Sequence, residues 1–222
     1  MMLLPSQQKQ YHNTSNTMCL IIYKPNASDT VPSDYIQNAQ NINKDGFGIT
    51  YLDNFKTHKT MNYNHARKLI SAKRPFVAHY RYTTRGATNR KSCHPYRINK
   101  DTMLYSNGTV ADLGSDTTTD TAIVADIMSK MPRKHWRKLM SMTDVRFAVV
   151  NRNGTVSRSG KWHERDGIYY SKNNCFHKPC LDNWLKINGT CPYCRGPITK
   201  GEKKLTPRSP NAIVPLDEER NL

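Results

Sequence analysis

The chain has 222 residues, of which 36% are hydrophobic, and 34 lysines and arginines against 17 acidic residues give it a formal charge of +17. No apolar run is long enough for a membrane-spanning helix, and no basic region precedes the short apolar start as in an export signal. We therefore expect a cytoplasmic protein whose six cysteines serve as metal ligands or nucleophile rather than in disulfides. The charge favours polyanions, so non-specific nucleic-acid contact and a merely basic surface both stay open.

Strand and helix patterns follow a polar leader. Residues 1–17, rich in Gln, Asn, Ser and Thr, are interpreted as a leader, a propeptide or a wrongly assigned start. The apolar run from Cys19 to Tyr23 predicts a buried strand. Further on, the patterns predict helices over 33–43, 62–73 and 118–131, a turn and strand over 45–52, a polar loop over 83–97, a short basic segment up to Met140, and strands over 76–82, 103–105, 145–150, 155–158 and 167–170. Because hairpin signals outnumber strict strand–helix–strand alternation, we predict an α+β fold with mostly antiparallel sheets.

Three polar clusters interrupt the strand-like runs. His79 and Arg81 alternate along one predicted strand, where the arginine pairs either with a small carboxylate ligand or with an internal acid. Asn107-Gly108 either offers an amide and a backbone N–H to a developing oxyanion or forms an ordinary turn. Asp120, near a helix start, either holds an ammonium group or interacts with the helix dipole.

Cys19 is a possible nucleophile. If Met18 is the true start, or if the first 18 residues are removed, its thiol and a free α-amino group lie on one residue. An amine with a pKa of about 7.7–8.0 can act as the general base for such a thiol, as in other hydrolases. The alternative is a small buried cysteine.

These motifs and their order along the chain resemble those of the class II glutamine amidotransferases of the N-terminal-nucleophile hydrolase superfamily. A leading Cys is followed by H-x-R-x-x-T-x-G, S-x-H-P, L-x-x-N-G and T-D-T. The segment Asp45-Gly46-Phe47-Gly48-Ile49 and the run from Trp162 to Ser171 are similar to the short, stand-alone members. The resemblance covers residues 18–174 and implies a four-layer αββα sandwich of antiparallel sheets.

The resemblance also implies residue roles and a reaction. Cys19 is implied as nucleophile, with Asn107 and the Gly108 N–H as the oxyanion hole. The implied substrate-binding residues are Arg81 on the glutamine α-carboxylate, Asp120 on the α-ammonium, and Thr84, Gly86 and His94 nearby. The reaction is attack on the side-chain amide, a γ-glutamyl thioester and release of ammonia to a separate synthetase or ligase, without a cofactor. In contrast to the family, Leu20 replaces the small glycine that commonly follows the nucleophile.

A second pattern lies near the C-terminus. The spacing H-x2-C-x10-C-x2-C gives two close ligand pairs that suit a structural, tetrahedral Zn²⁺, namely His177, Cys180, Cys191 and Cys194, with Cys175 as a replacement for His177. The stretch from Phe176 to Arg195 resembles the second half of a RING-H2 finger, although the first cysteine pair is absent. We therefore predict a zinc-binding appendage over 175–198, which docks a protein partner, and a flexible tail over 199–222.

Two functions follow from these patterns. The main prediction is amide hydrolysis of glutamine by residues 18–174. The alternative is a zinc-dependent adaptor or RING-like ubiquitin-ligase module carried on a catalytically inactive amidotransferase scaffold.

Overall fold

The computed structural model describes residues 19–171. The predicted leader 1–17, the zinc-binding appendage 175–198 and the tail 199–222 lie outside the described residues. Ten strands occur in the described range: β1 Leu20–Lys24, β2 Phe47–Tyr51, β3 Thr57–Thr60, β4 Phe76–Tyr80, β5 Tyr96–Asn99, β6 Thr102–Asn107, β7 Arg146–Asn151, β8 Val156–Ser159, β9 His163–Arg165 and β10 Ile168–Tyr170. Its helices are α1 Ser33–Ile42, α2 Tyr63–Ile70, α3 Asp120–Lys130 and, after a 3₁₀ turn Arg133–His135, α4 Trp136–Ser141.

The strands form two sheets. The six-stranded sheet has the order β3-β2-β4-β1-β10-β9, and the four-stranded sheet has the order β5-β6-β7-β8. All of these neighbouring strands pair antiparallel. This pairing is the one that hairpin connections allow, since parallel strands need long crossovers.

Three apolar clusters show how the layers are stacked. One joins α1 and α2 to the six-stranded sheet, with Ile36 and Ile70 among its members. A second joins α3 and α4 to the four-stranded sheet through Met128 and Trp136. The third lies between the sheets and includes Ile21, Val77, Tyr105 and Ala148. The layer order is therefore helices, sheet, sheet, helices, and its assignment to the N-terminal-nucleophile hydrolase fold stays a prediction.

Several observed elements differ from the sequence predictions. No element was predicted over β3, and the predicted polar loop 83–97 includes the first two residues of β5. These short polar strands lack the apolar alternation that marks a half-buried strand. The basic segment 133–140 contains α4, which buries only Trp136 and Met140, one turn apart. Helix α2 ends at Ile70, three positions before the predicted end at 73. No helix within residues 19–171 is long and apolar enough to cross a membrane.

Candidate functional site

Strand alternation brings three of the predicted residues to one end of the inter-sheet layer. The inter-sheet cluster includes Ile21 of β1, Val77 of β4, and Met103 and Tyr105 of β6. Because every second side chain points to the same face, Cys19, Arg81 and Asn107 continue these three rows. Leu20 pairs with Tyr80, so the beginning of β1 lies beside the end of β4.

Cys19 is half-buried, and its thiol is hydrogen-bonded to the backbone just after the end of β4. The Tyr82 N–H donates to its Sγ at 3.3 Å, and the thiol donates to the Tyr82 carbonyl oxygen at 3.2 Å. Burial raises the pKa of the Cys19 thiol to about 11, an effect that Arg81 opposes and Asp120 reinforces. At neutral pH the thiol is therefore protonated, and it needs a base to act as a nucleophile.

A cavity of about 320 Å³ opens at the Cys19 thiol. Its lining consists of Cys19, Thr84, Gly108, Thr109, Asp144, Val145 and Arg146. The first three residues belong to motifs that the sequence shows, whereas the other four belong to none. The pairing of Asn107 with Arg146 explains why residues 144–146 reach the site. Gly108 has φ of +127°, and a Cβ there would lie 3.1 Å from Val145 Cγ2, so the closeness of the two stretches requires a glycine.

Arg81 lies next to this cavity and is 2% exposed. Its guanidinium donates to the carbonyl oxygens of Arg85 at 2.9 Å and Ala87 at 3.1 Å. Within residues 19–171 it has no ion pair with a carboxylate. The described part of the chain thus contains no internal acid that pairs with Arg81, which was one of the two possibilities that the sequence allowed. Three of the five N–H donors of the Arg81 guanidinium remain for other contacts.

Asp120 is the first residue of α3 and is 6% exposed. One carboxylate oxygen accepts from the Val110 N–H at 2.7 Å and the other from the Thr121 N–H at 2.9 Å. Thr119 caps the helix, and a Cβ on Gly86 would lie 2.6 Å from its Cγ2. The glycine therefore lets the loop after β4 pack against the helix start that carries Asp120.

Asn107 is fully buried and is held by a residue that the sequence analysis did not single out. Its Nδ2 donates to Ser171 Oγ at 2.8 Å, and the Ile21 N–H donates to the same oxygen at 2.8 Å. The Asn107 Oδ1 atom has no hydrogen-bond partner. The same Nδ2 also donates to the Ser171 carbonyl oxygen at 3.4 Å, so the described contacts of the amide nitrogen are with Ser171. The predicted oxyanion-hole role of Asn107 stays a prediction.

His94 lies behind the site and is not part of the cavity lining. Its Nε2 is 3.1 Å from Thr121 Oγ1 and 3.3 Å from Ser106 Oγ, and its ring centroid is 3.9 Å from that of His79. Burial lowers the pKa of both imidazoles, that of His79 to about 3. The structure places His94 where it supports Thr121, the neighbour of Asp120, and its predicted contact with substrate stays a prediction.

The C-terminal part of the chain matches a known domain. A family model described as a Ring finger domain matches residues 164–195. Residues 164–171 of this match lie in β9, β10 and their surroundings, whereas the predicted ligands His177, Cys180, Cys191 and Cys194 lie outside the described residues. In the described range 19–171, no group of three or more His, Cys, Asp or Glu residues could hold a metal.

The C-terminal segment is similar to RING-H2 fingers. The chain matches RING-H2 finger protein ATL68 of Arabidopsis thaliana at 46% identity over 44 residues, which is 19% of this chain and 21% of that protein. It matches putative RING-H2 finger protein ATL21A of the same plant at 64% identity over 22 residues, or 10% of this chain and 6% of that protein. The chain therefore spans about a fifth or less of the length of these curated relatives.

These matches confirm the zinc prediction for the C-terminal segment, because RING fingers are built around bound zinc. They also confirm the predicted resemblance to a RING-H2 finger. They give no support to the amidotransferase resemblance of residues 18–174.

Proposed function

We propose that the protein acts as a RING-type ubiquitin ligase, the function that the sequence analysis held as the alternative. The match of a Ring finger model to residues 164–195 carries this proposal. The RING-H2 finger proteins of Arabidopsis thaliana that match the same kind of segment support it further.

The donor set of the segment fits zinc. His177 and Cys180 form one close pair and Cys191 and Cys194 the other, and thiolate and imidazole are the ligands that structural Zn²⁺ prefers. Bound zinc would supply folding free energy to the segment. The folded segment would then present a surface to a ubiquitin-conjugating enzyme, and the domain of residues 19–171 would be available for contacts with the protein to be modified.

In this function the chain forms no covalent intermediate. The ubiquitin thioester on the conjugating enzyme is attacked by a lysine amine, an isopeptide bond forms, and the thiol of the conjugating enzyme is released with the proton. The contribution of this chain is to hold the two reactants together in a productive orientation.

A reconstituted reaction tests the proposal. The full chain is incubated with activating enzyme, ubiquitin, ATP and a panel of conjugating enzymes. We expect ubiquitin conjugates with at least one member of the panel, and their loss in the Cys191→Ser/Cys194→Ser variant. As a matched control, Cys93→Ala removes a buried thiol of the described domain and should keep the activity. The absence of conjugates with every conjugating enzyme would overturn the proposal.

We propose a second candidate function, amide hydrolysis of glutamine, because the cavity at Cys19 combines a thiol with the groups that such a substrate needs. Thr84 and Gly108 line it with Cys19, while Arg81 and Asp120 act electrostatically on the same thiol. A volume of about 320 Å³ suits a ligand the size of an amino acid.

The chemistry of this candidate needs a chain that begins at Cys19. The α-amine would take the thiol proton, the sulfur would attack the side-chain amide, and ammonia would leave as the thioester forms. Water would then release glutamate and restore the thiol. The oxyanion would lie near the Gly108 N–H and the Asn107 amide.

Ammonia release from glutamine separates this candidate from an inactive scaffold. A chain trimmed to begin at Cys19 should release ammonia, and its Cys19→Ala variant should not. Equal release by the variant, or by a chain that still carries residue 18, would contradict the mechanism.

A further inference from the structure

We propose that a groove between α4 and the edge strand β8 binds a phosphorylated peptide segment of a partner protein. The groove encloses about 600 Å³. Residues of the 3₁₀ turn and α4 form one wall and residues 157–160 form the other, with Val149 of β7 between them. This groove is separate from the cavity at Cys19, with which it shares no lining residue.

The groove is strongly positive. Arg133 and Arg137 line its helical wall, and its described lining contains no acidic residue. Both arginines are exposed, and neither forms an ion pair within residues 19–171. Guanidinium groups without a carboxylate partner can bind the oxygens of a phosphate in the bidentate manner that arginine favours.

One of these arginines is held in place by neighbouring groups. Arg133 lies 5.4 Å from the centroid of Trp136 and donates to Asn151 Oδ1 at 2.9 Å. Because this side chain is already ordered, less conformational entropy is lost when a ligand binds. The Arg158 side chain points to the other face of β8, where its guanidinium lies 3.6 Å from the ring centroid of Tyr169, so this guanidinium does not contribute to the groove.

The backbone beside the arginines favours a peptide. Strand β8 is an edge of the four-stranded sheet, and in the described chain it pairs with β7 alone. Its outer N–H and carbonyl groups can therefore extend the sheet by an incoming strand. The hydroxyls of Ser157 and Ser159 line the same wall and add phosphate donors.

The aromatic content of the groove argues against single-stranded nucleic acid. Such ligands bind by stacking their bases on exposed aromatic faces. Trp136, the aromatic residue of the described lining, is only 7% exposed and donates its indole N–H to the Met128 carbonyl. The groove thus offers arginine forks and an edge strand, but no stacking platform.

A role of the groove in selecting the proteins to be ubiquitinated rests on the proposed ligase function. Binding of the phosphopeptide does not rest on that function, and it is measured without ubiquitin or its enzymes. Failure of one proposal therefore leaves the other intact.

Fluorescence anisotropy with the full chain tests the groove. The probe is a fluorescein-labelled serine-containing peptide with two phosphoserines, compared with its unphosphorylated form and with a single-stranded RNA of equal charge. We expect the phosphopeptide to bind roughly tenfold more tightly than either competitor. Equal or tighter binding of the RNA, or equal binding of the unphosphorylated peptide, would overturn the proposal.

Matched variants locate the binding. Arg133→Gln/Arg137→Gln should weaken phosphopeptide binding roughly tenfold. Lys68→Gln/Lys73→Gln removes the same two charges from exposed positions outside the groove and should change it little. Equal weakening in both variants would mean that the overall charge of +17 is responsible and would overturn the site. If the double variant unfolds, Arg137→Gln alone, at an exposed position, decides in the same way.

Discussion

At the scale of single residues, Ser171 joins the two sheets. Its Oγ accepts from the Ile21 N–H of β1 and from the Asn107 amide of β6, and its own N–H donates to the Ile21 carbonyl at 3.0 Å. The sequence motif from Trp162 to Ser171 includes this residue but gave it no role, because its partners are far away along the chain and meet it only after both sheets have formed. The same reason explains why Asp144 and Arg146 were missed at the cavity, whereas Cys19 and Gly108 belonged to local motifs.

Ser171→Ala should lower the free energy of unfolding by about 1–3 kcal/mol. The substitution leaves the buried Ile21 N–H without an acceptor and loosens Asn107. Denaturant unfolding measures the loss. Ser157→Ala, at an exposed position, serves as control and should have almost no effect. A Ser171→Ala chain as stable as the wild type would show that the bonds contribute nothing.

The buried imidazoles make stability depend on pH. Burial holds the pKa of His79 at about 3, below the ordinary value of 6.5, so the unfolded chain takes up its proton first as the pH falls. The stability that depends on neutral His79 is thus complete above pH 6.5. Below pH 6.5, down to about pH 3, it declines by about 1.4 kcal/mol per pH unit.

His79→Leu removes the imidazole that takes up this proton. The slope of the unfolding free energy against pH should therefore decrease by the contribution of about one bound proton. Urea unfolding at pH 8 and at pH 5 measures the slope, to which His94 contributes in the same direction. Val77→Ala is a buried change without a titrating group, and it should lower stability equally at both pH values. An unchanged slope in His79→Leu would show that His79 is not responsible for the pH dependence.

At the scale of the elements, apolar periodicity predicted the central strands and the long helices. Strands β1, β4 and β7 are continuous buried runs, so their sequence alone marks them. Strands β3 and β5 are polar edge strands, and they exist because a neighbouring strand supplies hydrogen-bond partners. Pairing of this kind is a tertiary property, and the sequence of a short polar strand does not encode it.

Strand β2 shows how one glycine sets the spacing between elements. A Cβ on Gly48 would lie 1.6 Å from the carbonyl oxygen of His94, a backbone atom that cannot yield without moving the loop. Gly48→Ala should therefore cost at least about 1–3 kcal/mol of unfolding free energy. Thermal or denaturant unfolding measures the loss.

Gly167→Ala is the comparison for this prediction. Its φ is +75°, and the nearest atom to an added Cβ is the Asp29 carboxylate at 3.2 Å, the end of a flexible side chain. The Gly167→Ala substitution should therefore lower the free energy of unfolding by only about 1–2 kcal/mol, the cost of a left-handed backbone conformation for alanine. If Gly48→Ala lowered the free energy of unfolding no more than Gly167→Ala does, the close approach of β2 to the His94 carbonyl oxygen would not require a glycine at position 48.

At the scale of the whole molecule, the folded domain and the RING-type match overlap in sequence. The match begins at residue 164, inside the edge strand β9 of the six-stranded sheet, and continues through the neighbouring strand β10. These first matched residues contain no cysteine or histidine, which agrees with the absence of the first cysteine pair from the sequence pattern. A full RING finger has two ligand sets, so the central claim is that the remaining half is enough to promote ubiquitin transfer.

Single-turnover discharge of ubiquitin measures whether the remaining half promotes transfer. A conjugating enzyme charged with ubiquitin is mixed with free lysine, and loss of the thioester is followed with the full chain, with the Cys180→Ser variant or with buffer. We expect faster discharge with the full chain and the buffer rate with Cys180→Ser or after zinc chelation. A full chain that leaves discharge at the buffer rate, or a variant that accelerates it equally, would rule out a ligase built on half a RING finger.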